Sequence, residues 1–205
     1  METLDRRQQL KAIILPKACE AFRLHGIRAV KMDDLAASLK MSKRTLYETY
    51  QNKEALLIDT LKLMMEEHEA TMQEFKAHNN DVMDLIIEHF RIQTMHYSRT
   101  NPQYFRDLKF YPDLMDKFHD VQEDNLRKTM EVFARGIDEG YFRPEVNYEF
   151  ISRVVRQCSI NFRTQEEYSQ YDIREIFVSF VYTFLRGICT DKGIAKIDAF
   201  LLEQE

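Results

Sequence analysis

The chain has no tryptophan, and only five glycines and four prolines interrupt its 205 residues. Those are the residues that stop helices and build tight strand turns. Their scarcity, with ten methionines and 31% charged residues, excludes a turn-rich sandwich or barrel and points to an all-α protein. Cysteine is equally sparse. Cys19, Cys158 and Cys189 are odd in number and widely separated, with no C-x-x-C pair, which excludes a disulfide framework and a zinc ribbon and leaves free thiols in a reducing compartment. No run reaches the ~18 apolar residues of a membrane span, and the charged stretch from Glu2 to Arg7 is not the apolar core of a secretory signal. A cytoplasmic protein with no membrane partner is expected.

A surplus of base is missing too, since the net charge is −5. Its distribution is uneven: residues 1–60 carry eleven Lys/Arg against eight Asp/Glu, a net of +3, so the rest carries −8. A basic end on an acidic body suits a small nucleic-acid reader joined to a domain with another task.

Residues 18–57 hold the densest pattern. Met32 to Leu39 reads as a short helix, with Leu35, Ala36 and Leu39 at core spacing and Asp33 and Asp34 complementing its N-terminal dipole. Asp33 is a candidate cap. A tight interval follows, and Ser42 is placed to cap a second helix in which Leu46 points inward. Ser42, Lys43, Arg44, Thr45, Tyr47, Tyr50 and Lys53 remain as outward donors. Hydroxyls and cations together are what phosphate and base-edge contact requires, so this is a helix-turn-helix whose second helix enters a major groove. Lys43 and Arg44 are assigned to phosphate or a guanine edge, Thr45 and Tyr47 to phosphate or a thymine methyl, Tyr50 and Lys53 to the DNA backbone. The competing explanation, an ordinary solvated helix face, accounts poorly for exposed Tyr and Thr beside two cations.

Ala18, Phe22, Gly26, Leu35, Ala36, Met41, Ser42, Thr45, Leu46, Tyr47, Tyr50, Lys53, Glu54 and Leu56 fall at the spacings of the tetracycline-repressor (TetR) family, which the chain resembles over about a quarter of its length. Two positions depart from the family pattern. Lys40 stands in the turn where glycine is common, and Met32 where a threonine or serine often caps the helix. A lysine enters a left-handed turn only at a cost of roughly 1 kcal/mol or more. The resemblance implies an N-terminal three-helix DNA-binding domain, residues 1–52, and a helical effector-binding and dimerisation domain, residues 53–205. It also implies a homodimer on a double-stranded, palindromic operator, a small-molecule effector and no cofactor.

Along the chain, Leu10 to Leu24 forms an amphipathic first helix closed by His25 and Gly26, with Pro16 inside it predicting a kink or a later start. Asn52 caps a long helix from Lys53 into the seventies, and helices follow over about 82–98 and 114–138, the two separated by a short aromatic segment, 103–110. Ile151, Val154, Val155, Cys158 and Phe162 share one face of the next helix. Ile173, Ile176, Phe177, Phe180, Val181, Phe184, Leu185 and Ile188 stripe the last one, with Val178 and Tyr182 on its flank. That apolar surface exceeds what one internal neighbour covers, and in similar proteins the last two helices dimerise. Ile173, Ile176, Phe177, Phe180 and Phe184 are the dimerisation candidates.

Met64, Met65, Met72, Phe90, Met95, Tyr97, Phe105, Phe110, Tyr111, Phe118, Phe133 and Phe162 are mostly core, though methionine and aromatics also make adaptable apolar pockets. Similar proteins bind small molecules in this region. The candidate effector contacts are His68, Met72, Gln93, Phe105, Tyr111, Gln157 and Asn161. His89 and His96, seven apart and near Glu88, share a helical face, but without an H-E-x-x-H, an E-x-x-H or clustered thiols no metal site is expected. The chain also lacks a paired nucleophile and base and a glycine-rich phosphate loop, so a helical enzyme is disfavoured; a membrane-surface or partner-helix adaptor is disfavoured by its acidic helices. A dimeric regulator without an effector remains the alternative within the same class.

Overall fold

The computed structural model describes residues 2–112, 114, 119–168 and 170–202, with 2–5, 119–122, 163, 164, 166, 173, 174, 177, 178, 181, 201 and 202 described by backbone alone. In chain order the helices are α1 (Glu2–His25), α2 (Met32–Ser38), α3 (Lys43–Thr49), α4 (Lys53–His78), α5 (Val82–Ser98), α6 (Pro102–Asp107), α7 (His119–Asp138), α8 (Tyr148–Thr164), α9 (Ile173–Ile188) and α10 (Asp191–Leu202). Short 3₁₀ turns cover Leu108–Phe110 and Glu166–Tyr168. The fold is all-α. Among the described residues extended pairing is confined to an isolated antiparallel bridge between Phe142 and Cys189.

The chain forms two compact units, one of Met1–Ala70 with Arg99–Leu114, the other of Thr71–Ser98 with Met115–Glu205. This division differs from a cut after residue 52, because the start of α4 and the whole of α6 belong with the helix-turn-helix.

In the first unit, Ile14, Ala18 and Phe22 recur every four residues on α1 and bury the same face; Ile27, Leu35, Ala36, Leu46, Leu56 and Leu57 are buried in the same unit. α1 contacts α2, α3 and α6. It begins at Glu2, well before Pro16, and continues through it. Proline removes the N–H that would bond the carbonyl of Ala12, but both residues are exposed and water can serve that carbonyl, which is why the helix tolerates it. Gly26 then takes φ +86° and its N–H bonds the Phe22 carbonyl, ending the helix. Asn52 caps α4 as expected, its Oδ1 accepting from Ala55 N at 2.8 Å.

In the second unit, Asp81 caps α5, its Oδ1 accepting from Met83 N at 2.9 Å and Asp84 N at 3.1 Å. The core there joins Val82, Met83, Tyr141, Phe142, Tyr148, Leu185, Ile188, Cys189 and Ile197, with Phe133 stacked on Tyr148 at a centroid separation of 4.5 Å. The sequence reading stopped at Ile188 and missed α10. Ile194 and Ile197 repeat there at helical spacing, and Gly193 lets the new helix come against the chain before α8: a Cβ on it would lie 2.5 Å from the Tyr141 carbonyl oxygen. No helix among the described residues is long and apolar enough to cross a membrane.

Candidate nucleic-acid interface

The turn between α2 and α3 closes on Lys40, whose φ of +53° is left-handed. Lys40 N bonds the Ala37 carbonyl at 3.0 Å and Met41 N bonds that of Ala36 at 3.0 Å, the paired pattern that usually calls for glycine at this point. The lysine therefore carries the strain its sequence position implied. Upstream, the expected Asp33 cap is absent. Lys31 takes the cap position without a side-chain bond, and Asp33 turns instead to the Lys43 ammonium at the start of α3.

Ser42 does cap α3: its Oγ accepts from Thr45 N at 3.0 Å, and its hydroxyl lies 2.8 Å from that of Thr45. Helical spacing then sorts the side chains. Leu46 is fully buried, which fixes the opposite face outward. Ser42, Lys43, Arg44 and Tyr47 are exposed, Tyr47 at 46%, and Thr45 is half-buried beside them. The two cations already have carboxylates: Lys43 with Asp33, and Arg44 Nε with Glu48 Oε1 at 2.7 Å. Each carboxylate, chiefly through its hydrogen bond, lifts the cation's pKa above its ordinary value, so both stay charged at any physiological pH.

Tyr50 is not on this face. Only 2% of it is exposed. The backbone leaves the helix there (φ −128°, ψ 106°), which turns the ring under Lys11 Nζ, 5.1 Å from its centroid, and aims the hydroxyl at Asp59 Oδ2, 3.2 Å away. Burial, then the Asp59 charge, raises its pKa far above the ordinary phenol range, so it stays a neutral donor. Asp59 also holds Lys11 at 2.7 Å, and Arg7 reaches the Thr49 carbonyl at 3.2 Å, so the first half of α1 braces the end of α3. Lys53 is half-buried, its Nζ donating to the Arg28 carbonyl at 3.2 Å; burial, partly offset by Asp107, pulls its pKa below the usual value.

A second brace comes from far along the chain. Asn101 N donates to the Arg23 carbonyl at 2.8 Å and Asn101 Nδ2 to that of Leu24 at 3.1 Å, satisfying carbonyls at the end of α1. Asp107, 1% exposed, accepts Arg28 N at 2.7 Å on one oxygen and Gln103 Nε2 at 2.7 Å on the other. The Arg28 guanidinium sits 4.2 Å from the centre of the Phe110 ring. Sequence reasoning missed Glu48, Asn101 and Asp107, and the pairing of Asp33 with Lys43. Only Arg44–Glu48, four apart on one helix, was visible as a spacing.

The effector candidates divide between the units. In the first, His68 is half-buried with its pKa held below the ordinary value by burial, Phe105 is a buried ring edge-on to Tyr104 at 5.3 Å, and Tyr111 is half-buried. In the second, Met72 and Gln93 are half-buried, and Gln157 donates to Asn161 at 3.2 Å on the outer part of α8. Among the dimerisation candidates, Ile176, Phe180 and Phe184 are half-buried on α9, and the Phe180 ring meets Phe162 at 5.1 Å and Phe184 at 4.4 Å. The side chains of Ile173, Phe177, Val178 and Val181, and all of Phe118, lie outside the described residues. His89 is edge-on to Phe90 at 5.6 Å.

Residues 14–60 match the model of the bacterial regulatory proteins of the tetR family. Over 156 residues, 71% of this chain and 76% of the relative, the sequence is 21% identical to the HTH-type transcriptional repressor KstR2 of Mycobacterium tuberculosis. The solved structure of that ketosteroid transcriptional regulator aligns over 91% of this chain and 96% of its own, with a TM-score of 0.59 and 18% identity. A TetR transcription regulator from Haloarcula marismortui aligns over 89% of this chain and 100% of its own, with a TM-score of 0.69 and 18% identity. With its all-helical fold and a capped second motif helix presenting cations and hydroxyls outward, the chain carries over residues 14–60 the DNA-binding segment of the bacterial regulatory proteins of the tetR family and is a DNA-binding transcriptional regulator of that type.

Proposed function

We propose that the protein is a cytoplasmic repressor, not an enzyme, that binds a palindromic duplex operator as a homodimer and is released by a small apolar or amphipathic effector. Residues 1–52 are the reading part, 53–205 the part that senses and dimerises. The observation that carries this is the outer face of α3. Ser42, Lys43, Arg44 and Tyr47 are exposed around a helix locked from behind by Leu46, a donor set with no use in packing. Ser42, Thr45 and Tyr47 supply hydroxyls to phosphate or thymine methyl, and Lys43 and Arg44 supply charge or a guanine contact. Tyr50 acts from behind by holding the end of α3, and Lys53 by tying α4 to the Arg28 loop.

Two such faces must meet half-sites about 34–36 Å apart, so an effector that prefers a different spacing of the heads lowers operator affinity by its differential binding. α4 is the natural lever, beginning three residues after Tyr50 and carrying His68 and Met72 further along. The aromatic edge of α9, with Ile176, Phe180 and Phe184 half-buried, supports the dimer, and the relative that regulates as a ketosteroid transcriptional regulator supports an apolar effector.

Selecting bound fragments from a genomic DNA pool with the purified protein tests the reading directly. An inverted-repeat sequence should emerge. Arg44→Ala should weaken binding to it about tenfold or more, the scale of one lost base or phosphate contact at 1–3 kcal/mol. Unselective recovery, or a variant that binds as the original does, would overturn it.

A further inference from the structure

The two cations of α3 are both paired in the free protein, and the carboxylates that hold them are odd residues for a surface that meets DNA. Asp33 comes from the first turn of α2, and Glu48 lies one turn along α3 from Arg44. Neither pair is a convincing stability device. The side chains are 66% and 44% exposed for Lys43–Asp33, and 87% and 62% for Arg44–Glu48. Pairs so wetted contribute little. A carboxylate this close to an approaching phosphate is repelled by it, so both acids weaken binding to any duplex.

We propose that Asp33 and Glu48 are specificity determinants. Each carboxylate is repelled by the phosphates of any duplex, and random-sequence DNA offers it nothing in return. An operator that seats α3 in its register sets an amino donor of a base edge, such as cytosine N4, against the carboxylate, which offsets part of that repulsion. The acids therefore subtract more from non-operator binding than from operator binding, widening the ratio on which a regulator depends in a genome full of competing sites. This rests on the reading of α3 as the DNA-reading helix.

The test compares Glu48→Gln and Asp33→Asn with the unaltered protein on a scrambled duplex and on the selected operator, by fluorescence anisotropy over a salt series. Glu20→Gln is the matched control, because it makes the same charge change beside a different exposed pair, Lys17–Glu20 at 2.8 Å, away from α3. On the scrambled duplex each variant should gain about two- to fivefold in affinity, the scale of one exposed pair. Its log affinity should fall more steeply with log salt by up to about 0.9, one further ion released. The operator should gain less, narrowing the ratio, and Glu20→Gln should move neither duplex.

An unchanged scrambled affinity, an equal gain on both duplexes, an equal gain from Glu20→Gln, or a loss confined to the operator would each overturn the proposal. If Asp33→Asn loses helix on melting, Glu48→Gln alone decides the matter. Failure of the unaltered protein to bind any duplex would sink the underlying reading instead.

Discussion

The two units keep their shape by different means. The first is a network of specific polar obligations: Ser42 on Thr45 N, Asn52 on Ala55 N, Asn101 on the end of α1, Asp107 on Arg28 N. The second leans more on aromatic packing, with Phe133, Phe142 and Tyr148 in mutual ring contact, alongside polar bonds at Asp81, Glu139, Asn147 and Asp198. A hydrogen bond names its partner atom and fixes a side chain to a fraction of an ångström. An apolar contact accepts any filling of about the right volume. A helix that must match a groove needs the first kind of restraint, whereas a body with the proposed effector role can use the second.

That contrast can be broken at Phe142. Its side chain is 1% exposed, and truncation to Ala should cost about 3–5 kcal/mol. Chemical denaturation reads the loss, yet operator affinity measured below the transition should hold. A parallel drop in affinity would mean that the two units do not divide their tasks this way. Asp107→Ala should do the reverse. It leaves the Arg28 N–H and the Gln103 amide without their acceptor, costing about 1–3 kcal/mol, and the loosened loop should reduce DNA binding at temperatures where circular dichroism still reports a folded chain.

Acid sharpens the comparison in the second unit. Burial opposes ionisation of Asp81, but bonds from the Tyr141 hydroxyl and Asp84 N, with the Lys196 cation, outweigh it and hold the carboxyl below its ordinary 3.8. A carboxyl depressed by folding contributes stability that is complete above its unfolded value and disappears as pH falls through the folded one. Melting temperature should therefore fall steeply below about pH 4, and Asp81→Asn should flatten that limb. The smallest effect belongs to the motif turn. Lys40→Gly should remove left-handed strain and raise stability by at most about 1 kcal/mol, with the fold otherwise unchanged.

Most of the fold was legible, because its signals are local. The Ser42 and Asn52 caps, the Lys40 turn and the α4 and α5 bounds each depend on residues within a turn of one another. What was not legible depended on distance or on one residue of extrapolation. Asp107 and Arg28 are 79 apart, and nothing in either stretch announces the other. Tyr50 was assigned outward by continuing the helical repeat one position too far, whereas its extended backbone rotates it inward. The Asp33 cap failed because Lys43 competes for the same carboxylate. α10 carries a weaker signal, since Ile194 and Ile197 are short marks beside the long aromatic stripe of α9.

The chain's path has a practical corollary. It leaves the first unit within α4, returns at Arg99 and departs again after Leu114. A polypeptide cut off at residue 60 would keep every element of the motif and still lack Asn101 and Asp107, so the carbonyls ending α1 and the amide of Arg28 would face solvent. Excision at the motif border should give a reader that melts early and grips poorly, its missing keystone supplied from 77 to 79 residues downstream of the groups it holds.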